Sequence, residues 1–281
     1  MLGSGSAGNA TLLANGDARV LIDAGLSYRE VARRLALVDT EPAAIDAIMI
    51  THAHGDHTRG ARLLARRHAV PVYSTAVVRR EWGVGELPDW RELAPHRPLE
   101  LCGLRFLPFT VPHDATQTVA FRIETPAGAV GFATDVGAVT AELIERFEDC
   151  RLLVIESNHA DELLRMSPYD AATRARIAGD AGHLSNEALA AYIRGGLGPE
   201  VRCIVLMHLS RVNNVPEIAE QTCRDALAAR GRTDVRVVVT RQDRVAPTVD
   251  LAAWPPPGEH DLAPVVAPAD EPREASLFDD A

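Results

Sequence analysis

The sequence predicts an α/β fold, and three observations carry that expectation. Short apolar runs alternate with helical segments along most of the chain. One of those runs ends directly in a cluster of histidines. Near residue 251 the alternation stops and prolines mixed with acids take over. At 281 residues, 47% of them hydrophobic, the chain is long enough to bury a full core.

Taken in order, Asn15-Gly16-Asp17 between apolar runs at 10–14 and 19–22 marks a hairpin. A helix is expected over 28–37, then a strand over 47–50 that ends at Thr51, then an arginine-rich helix over 59–68. Further strands fit residues 70–74, 104–109, 118–124, 129–133 and 152–155. The Ser185 hydroxyl can cap a helix, with Glu187 suiting its first-turn dipole. A buried strand follows over 201–207, and Pro216 opens a helix that Gly231 closes. The last strand spans 235–240. Six of the 18 prolines lie between Pro255 and Pro272, so 1–250 reads as one folded domain and 251–281 as a disordered tail.

The net charge of −10 is unlike that of a general nucleic-acid coat, but from residue 251 onward seven acids face the single Arg273. The body is only mildly acidic, and charges beyond about 8 Å are screened at physiological salt, so a local basic patch can still act. All 29 basic residues are arginine, which excludes a phosphate-binding or Schiff-base lysine. The four cysteines form no CxxC pair and read as reduced thiols. Met1-Leu2 runs straight into Gly3-Ser4-Gly5-Ser6, and no apolar run approaches the ~20 residues of a membrane helix. A cytoplasmic protein without a membrane partner is expected.

The chemistry concentrates in Thr51-His52-Ala53-His54-Gly55-Asp56-His57, an HxHxDH run. Three of the ten histidines and an aspartate fall within six positions, where one loop can turn several ligands to one point. Imidazole suits zinc, and carboxylate oxygen extends the choice to manganese. One loop does not satisfy two metals. His113, Asp135 and His208 each follow an apolar strand and are the further candidates.

HxHxDH followed by a later His, an Asp and a last His resembles the metallo-β-lactamase superfamily, over about residues 1–250. The resemblance implies a four-layer αββα sandwich with the site at one rim. It implies that His52, His54 and His113 bind one divalent ion, that Asp56, His57 and His208 bind the other, and that Asp135 bridges them. Asp23 matches an early strand-end aspartate that would orient the ligand loop. Two such cations lower the pKa of a water from about 15.7 to near 7 and clamp an in-line displacement. Phosphodiesters, thioesters, lactones and β-lactams all yield to that chemistry, with Asp56 among the catalytic groups.

Three features point to phosphodiesters. Glu156, after a strand, and His183, before a helix, resemble the Glu–His pair of the superfamily's nuclease branches, such as the tRNA 3′-processing enzymes. There the His protonates the leaving sugar oxygen, so His183 is the candidate general acid and Glu156 its orienter. Residues 3–9, Glu156-Ser157-Asn158-His159, Gly182-His183-Leu184-Ser185-Asn186 and His208-Leu209-Ser210-Arg211-Val212-Asn213-Asn214 together resemble the YycJ/WalJ family. That implies a single-domain 5′→3′ DNA exonuclease linked to mismatch repair, with RNA left open as an alternative polymer. Ala53 departs from that family, which usually carries Glu there. Last, Ser6 and Asn9 of the Gly/Ser loop, whose amides could cradle an anion, together with Asn213, Arg174, Arg176 and Arg211, are candidate substrate contacts. Arg59, after the metal loop, is a further one.

At 5% aromatic the chain offers no stacking platform for sequence-specific reading of single strands. The tail run Glu274-Ala275-Ser276-Leu277-Phe278 is similar to the QxxLF peptides that dock on the bacterial sliding clamp. Two rival readings stay open: a thioesterase or lactonase, which would not need the Glu156–His183 pair, and a non-catalytic metal-stabilised binding module. A true β-lactamase is disfavoured, because no cysteine occupies a matched ligand position.

Overall fold

The computed structural model describes residues 1–254 and the short strand Val265–Val266. The N-terminal half builds a five-stranded sheet from β1 (Thr11–Asn15), β2 (Ala18–Ile22), β3 (Ala47–Met49), β4 (Val72–Ser74) and β5 (Trp90–Glu92), in that order. The β1–β2 hairpin is antiparallel and turns at Gly16, whose φ of 57° is the left-handed region glycine tolerates. The other pairs are parallel, joined by α1 (Tyr28–Ala36), α2 (Gly55–Thr58), α3 (Ala61–His68) and α4 (Ala76–Trp82).

The second sheet contains β6 (Leu99–Leu101), β7 (Leu104–Val111), β8 (Thr118–Thr125), β9 (Gly128–Ala133), β10 (Cys150–Glu156), β11 (Cys203–Met207) and β12 (Arg236–Val239). Its seven strands run β12-β11-β10-β9-β8-β7-β6, parallel from β12 to β9 and antiparallel from there. Helices α5 (Ala141–Phe147), α6 (Asp161–Met166), α7 (Ala171–Ala178), α8 (Asn186–Gly196) and α9 (Pro216–Ala229) complete this half.

The period-two alternation of strand side chains sorts the core into three layers. Val20, Ile22, Ala47 and Met49 of the first sheet meet Phe121, Phe132, Leu152, Val154, Val205 and Met207 of the second. The residues between them point outward. Leu21, Ile48 and Ile50 pack under Val31, Leu35, Leu64 and Val78 of the first helical layer. Leu153, Ile155, Ile204 and Leu206 pack under Leu143, Ile193, Cys223 and Leu227 of the other. Two central sheets with helices on both outer faces are the expected αββα sandwich. Burial pushes the Cys150, Cys203 and Cys223 thiols up to about 12, so these three are inert core groups.

The expected arginine-rich helix is α3, which starts at Ala61; the short α2 before it is unexpected, and the two are separated at Gly60, where a side chain would strike the Leu26 carbonyl oxygen at 2.3 Å. Helices α4 to α7 go beyond what the sequence pattern predicts. They are six to eight residues long, and α4, α5 and α7 are capped by Thr75, Thr140 and Asp170 while α6 has no side-chain cap. The packed body also runs past the boundary drawn at 250, because Trp254 is buried in the inter-sheet core with the Arg151 guanidinium 5.8 Å from its ring centre. Within the segment that reads as patternless, Val265–Val266 pairs antiparallel with Thr248–Val249. The rest of the expected tail, including the clamp-like Ser276-Leu277-Phe278, lies outside the described residues. Among the described residues no helix is long and apolar enough to cross a membrane.

Candidate metal centre

The ends of the strands converge on one rim. The loop after β3 carries His52 and His54 and runs into α2 with Asp56 and His57, while β7 leads to His113, β9 to Asp135, β10 ends in Glu156 and β11 leads to His208. Asp23, Asp135 and His208, each just past a strand, adopt φ values of 59°, 53° and 55°. Left-handed backbone costs a non-glycine residue roughly 1 kcal/mol or more, and here it turns each side chain back over the rim.

Each of four histidines has Nδ1 committed to a partner. In His113 it donates to the Gly182 carbonyl at 2.9 Å, and in His57 to Asp23 Oδ2 at 2.7 Å. In His208 it donates to Glu156 Oε1 at 2.7 Å, and in His52 it lies 3.0 Å from Thr51 Oγ1. The acceptors are held in turn. Asp23 takes the Thr51 amide at 2.9 Å and the Thr51 hydroxyl, and Glu156 Oε2 takes the amides of Val136 at 2.7 Å and Leu184 at 3.2 Å. With Nδ1 carrying the proton, Nε2 presents a lone pair to the rim.

Those lone pairs meet more acceptors. Nε2 of His52, His113 and His208 is buried with no hydrogen-bond partner among the described residues. Asp135 reaches both ways, with Oδ2 3.1 Å from His57 Nε2 and Oδ1 3.6 Å from His113 Nε2. Asp56 Oδ2 sits 3.5 Å from His57 Nε2 and 3.6 Å from His208 Nε2. Imidazole lone pairs facing carboxylates in a buried space need positive charge between them. Burial opposes charge on His208, yet Asp135, Asp56 and Glu156 outweigh it and raise the imidazole to about 10. Burial likewise disfavours an ionised Glu156, but His183 and His208 hold it at about 2. His52 is driven the other way, by burial and by His57, and stays neutral as a ligand must.

The ligand atoms form sets whose members lie within 4.8 Å of one another: His52, His54 and His113; Asp56, His57 and His208; and His52, His57 and Asp135. The first two are the two halves implied by the superfamily resemblance, and Asp135 lies between them. Orphaned nitrogens and a nitrogen–oxygen donor set fit divalent cations. Two such ions would activate a water and neutralise charge developing on the substrate.

His183 stands beside the ligands, with Nδ1 2.9 Å from Glu156 Oε1 and its ring 5.1 Å from that of His113. Sequence reasoning passes over Asp114, whose Oδ1 lies 3.2 Å from His113 Nε2 and 3.9 Å from His54 Nε2. Its only signal is adjacency to His113. Gly25 is passed over too. A side chain there would overlap the Asp56 carbonyl at 1.5 Å, so only glycine lets this turn press against the ligand loop.

Several expected substrate contacts are placed otherwise. Asn9 is buried, accepting from the Gly5 amide at 2.8 Å and setting its amide nitrogen 2.9 Å from His57 Nε2. It braces the ligand loop instead of facing solvent. The amides of Gly3, Gly5, Ala7, Gly8 and Asn9 are all bonded within the protein, so they cradle no anion. Asn213 is 1% exposed and its amide bonds Ser210 Oγ, which removes it from the surface. Arg176 is paired with Asp114, and Arg174 donates to the Tyr169 carbonyl. Ser6 and Arg211 are exposed.

The sequence signature of the β-lactamase superfamily domain matches residues 18–209. The exodeoxyribonuclease WalJ of Streptococcus pneumoniae is 31% identical over 263 residues, covering 89% of this chain and 97% of that protein. The chain belongs to the metallo-β-lactamase superfamily and, within it, to the WalJ/YycJ family. The exodeoxyribonuclease YycJ of Bacillus anthracis is 29% identical, over 82% of this chain and 89% of that one. Among solved metallo-β-lactamase folds, YhfI of Bacillus subtilis superposes with a TM-score of 0.66 at 17% identity, covering 86% of this chain and 95% of its own. The histidines and carboxylates of the present chain gather at the sandwich rim, where the superfamily resemblance places the metals.

Proposed function

We propose that this protein is a dinuclear metal-dependent phosphodiesterase that degrades DNA from the 5′ end in the service of DNA repair, with zinc or manganese as its metal. The observation that carries the reading is Glu156 Oε1, which accepts from His183 Nδ1 and His208 Nδ1 together. One carboxylate oxygen thus ties a metal ligand to a second histidine that is free to act as an acid. An alkoxide leaving from phosphorus needs a proton, whereas a thiolate leaving group does not, so the pair favours phosphodiesters over thioesters. In this reading His52, His54, Asp56, His57, His113, Asp135 and His208 hold the metals. His183 protonates the leaving sugar oxygen, and Asp23 and Glu156 fix the imidazoles that face the site.

Charge placement supports a polyanionic substrate. From His57 to Arg80 the chain contains six arginines and no acid, although its net charge is −10. Arg62 and Arg66 are exposed on α3, which leads away from the ligand loop, and neither has an acidic partner among the described residues. Ser6 and Arg211 remain proposed phosphate contacts beside the rim. The relatives named exodeoxyribonucleases support DNA over RNA.

The test is to incubate metal-loaded protein with 5′-phosphorylated duplex DNA, single-stranded DNA, RNA, bis(4-nitrophenyl) phosphate, and a panel of thioesters and lactones. Metal-dependent loss of DNA from the 5′ end, absent in His54→Ala, is expected. Turnover of the small esters alone would overturn the assignment.

A further inference from the structure

A cleft of about 710 Å³ opens beside the candidate centre, between the loop after Asp135, α6, α7 and the start of α8. Of the residues assigned to the chemistry only His183 lines it; none of the seven candidate metal ligands does. Its volume lies within the range of about 300–1,000 Å³ that small-molecule sites occupy. Ala175, Ala178 and Ala188 are exposed on its helical walls and present a smooth face for a flat ring, while Leu164 adds apolar surface. Arg165 and Arg174 are balanced by Asp161 and Asp180, so the lining suits a neutral group better than a phosphate. His159 forms part of the wall. It is 1% exposed, and its Nδ1 has no hydrogen-bond partner among the described residues.

We propose that this cleft holds the nucleoside at the 5′ end of the strand under digestion, the one whose 3′-oxygen leaves. The inference rests on the phosphodiesterase reading above and adds the registry of cutting. Water oxygen bonds to phosphorus, giving up a proton to solvent from which His183 is later reprotonated, and the P–O3′ bond breaks. Its electron pair stays on O3′, which takes the His183 proton, and the phosphate remains on the next nucleotide. Because His183 lines the cleft, the group it protonates belongs to whatever the cleft holds. One nucleoside per cleft makes the product a mononucleotide, so the cleft would set exonucleolytic stepping.

The test fills the cleft from two helices, with Ala188→Trp and Ala175→Trp in the full-length, metal-loaded enzyme. Release of mononucleotides from duplex DNA is compared with hydrolysis of bis(4-nitrophenyl) phosphate, and the ratio of the two rates is expected to fall at least about tenfold in each variant. Binding of deoxyadenosine 5′-monophosphate, measured directly, is expected to weaken in parallel. An unchanged ratio, equal nucleotide affinity in wild type and variants, or oligonucleotides as the wild-type product would each overturn the cleft proposal. Wild-type protein that hydrolyses neither DNA nor the surrogate would sink the phosphodiesterase reading itself, and the cleft proposal with it.

Discussion

Glu156 lies 2.7 Å from His208 Nδ1 through the same oxygen, Oε1, that receives His183 Nδ1. Its other oxygen is filled by the amides of Val136 and Leu184, so both oxygens are engaged by donors. A glutamine in its place would set an NH2 group against donors on one side or the other. Glu156→Gln is therefore expected to lower metal affinity by about 10–100-fold. Chelator competition read by elemental analysis measures it, and wild-type metal retention would show that Glu156 serves His183 alone.

His183→Ala separates acid catalysis from metal binding. DNA turnover should fall by about 10²–10⁴-fold, while bis(4-nitrophenyl) phosphate, whose leaving group needs no proton, should lose far less. Parallel losses on both substrates would mean that His183 positions a ligand and donates no proton.

Gly25→Ala tests the packing behind the ligand loop. Its methyl would overlap the Asp56 carbonyl, 1.5 Å away, so the loop or the β2 turn must move. A stability loss of about 3 kcal/mol is expected by chemical denaturation, together with weaker metal binding. Wild-type stability would show that the loop yields at no cost.

Arg62→Glu with Arg66→Glu should weaken DNA binding while sparing the small surrogate, since neither arginine is among the groups at the metal rim. The slope of log affinity against log salt should flatten by about 1 for each arginine–phosphate pair removed. An unaltered slope would remove α3 from the binding surface.

The candidate metal ligands are legible in sequence because coordination demands particular side chains, and the chain concentrates them in HxHxDH and at the ends of buried strands. Asp23 and Glu156 are acids at strand ends, and it is the family resemblance that singles them out. The second task of Glu156 is not legible, since it depends on His208 arriving from 52 residues away. Asn9 and Asn213 turn out buried because a polar residue in a loop has the same sequence signature whether it faces water or the interior. Nothing in the run around Asn9 reveals that the Gly5 amide folds back onto its side chain. The α/β class is visible in the alternation of strands and helices and the layering follows from the superfamily resemblance, but α4 to α7 are not legible, because helices this short are fixed by caps and tertiary packing.

The most direct measurement is a time course of metal-loaded protein on duplex DNA labelled at either end, with His54→Ala and a chelated sample alongside. The account predicts mononucleotides released from the 5′ end only, and no products in either control. Internal cuts, release from the 3′ end, or equal activity in the chelated sample would contradict it.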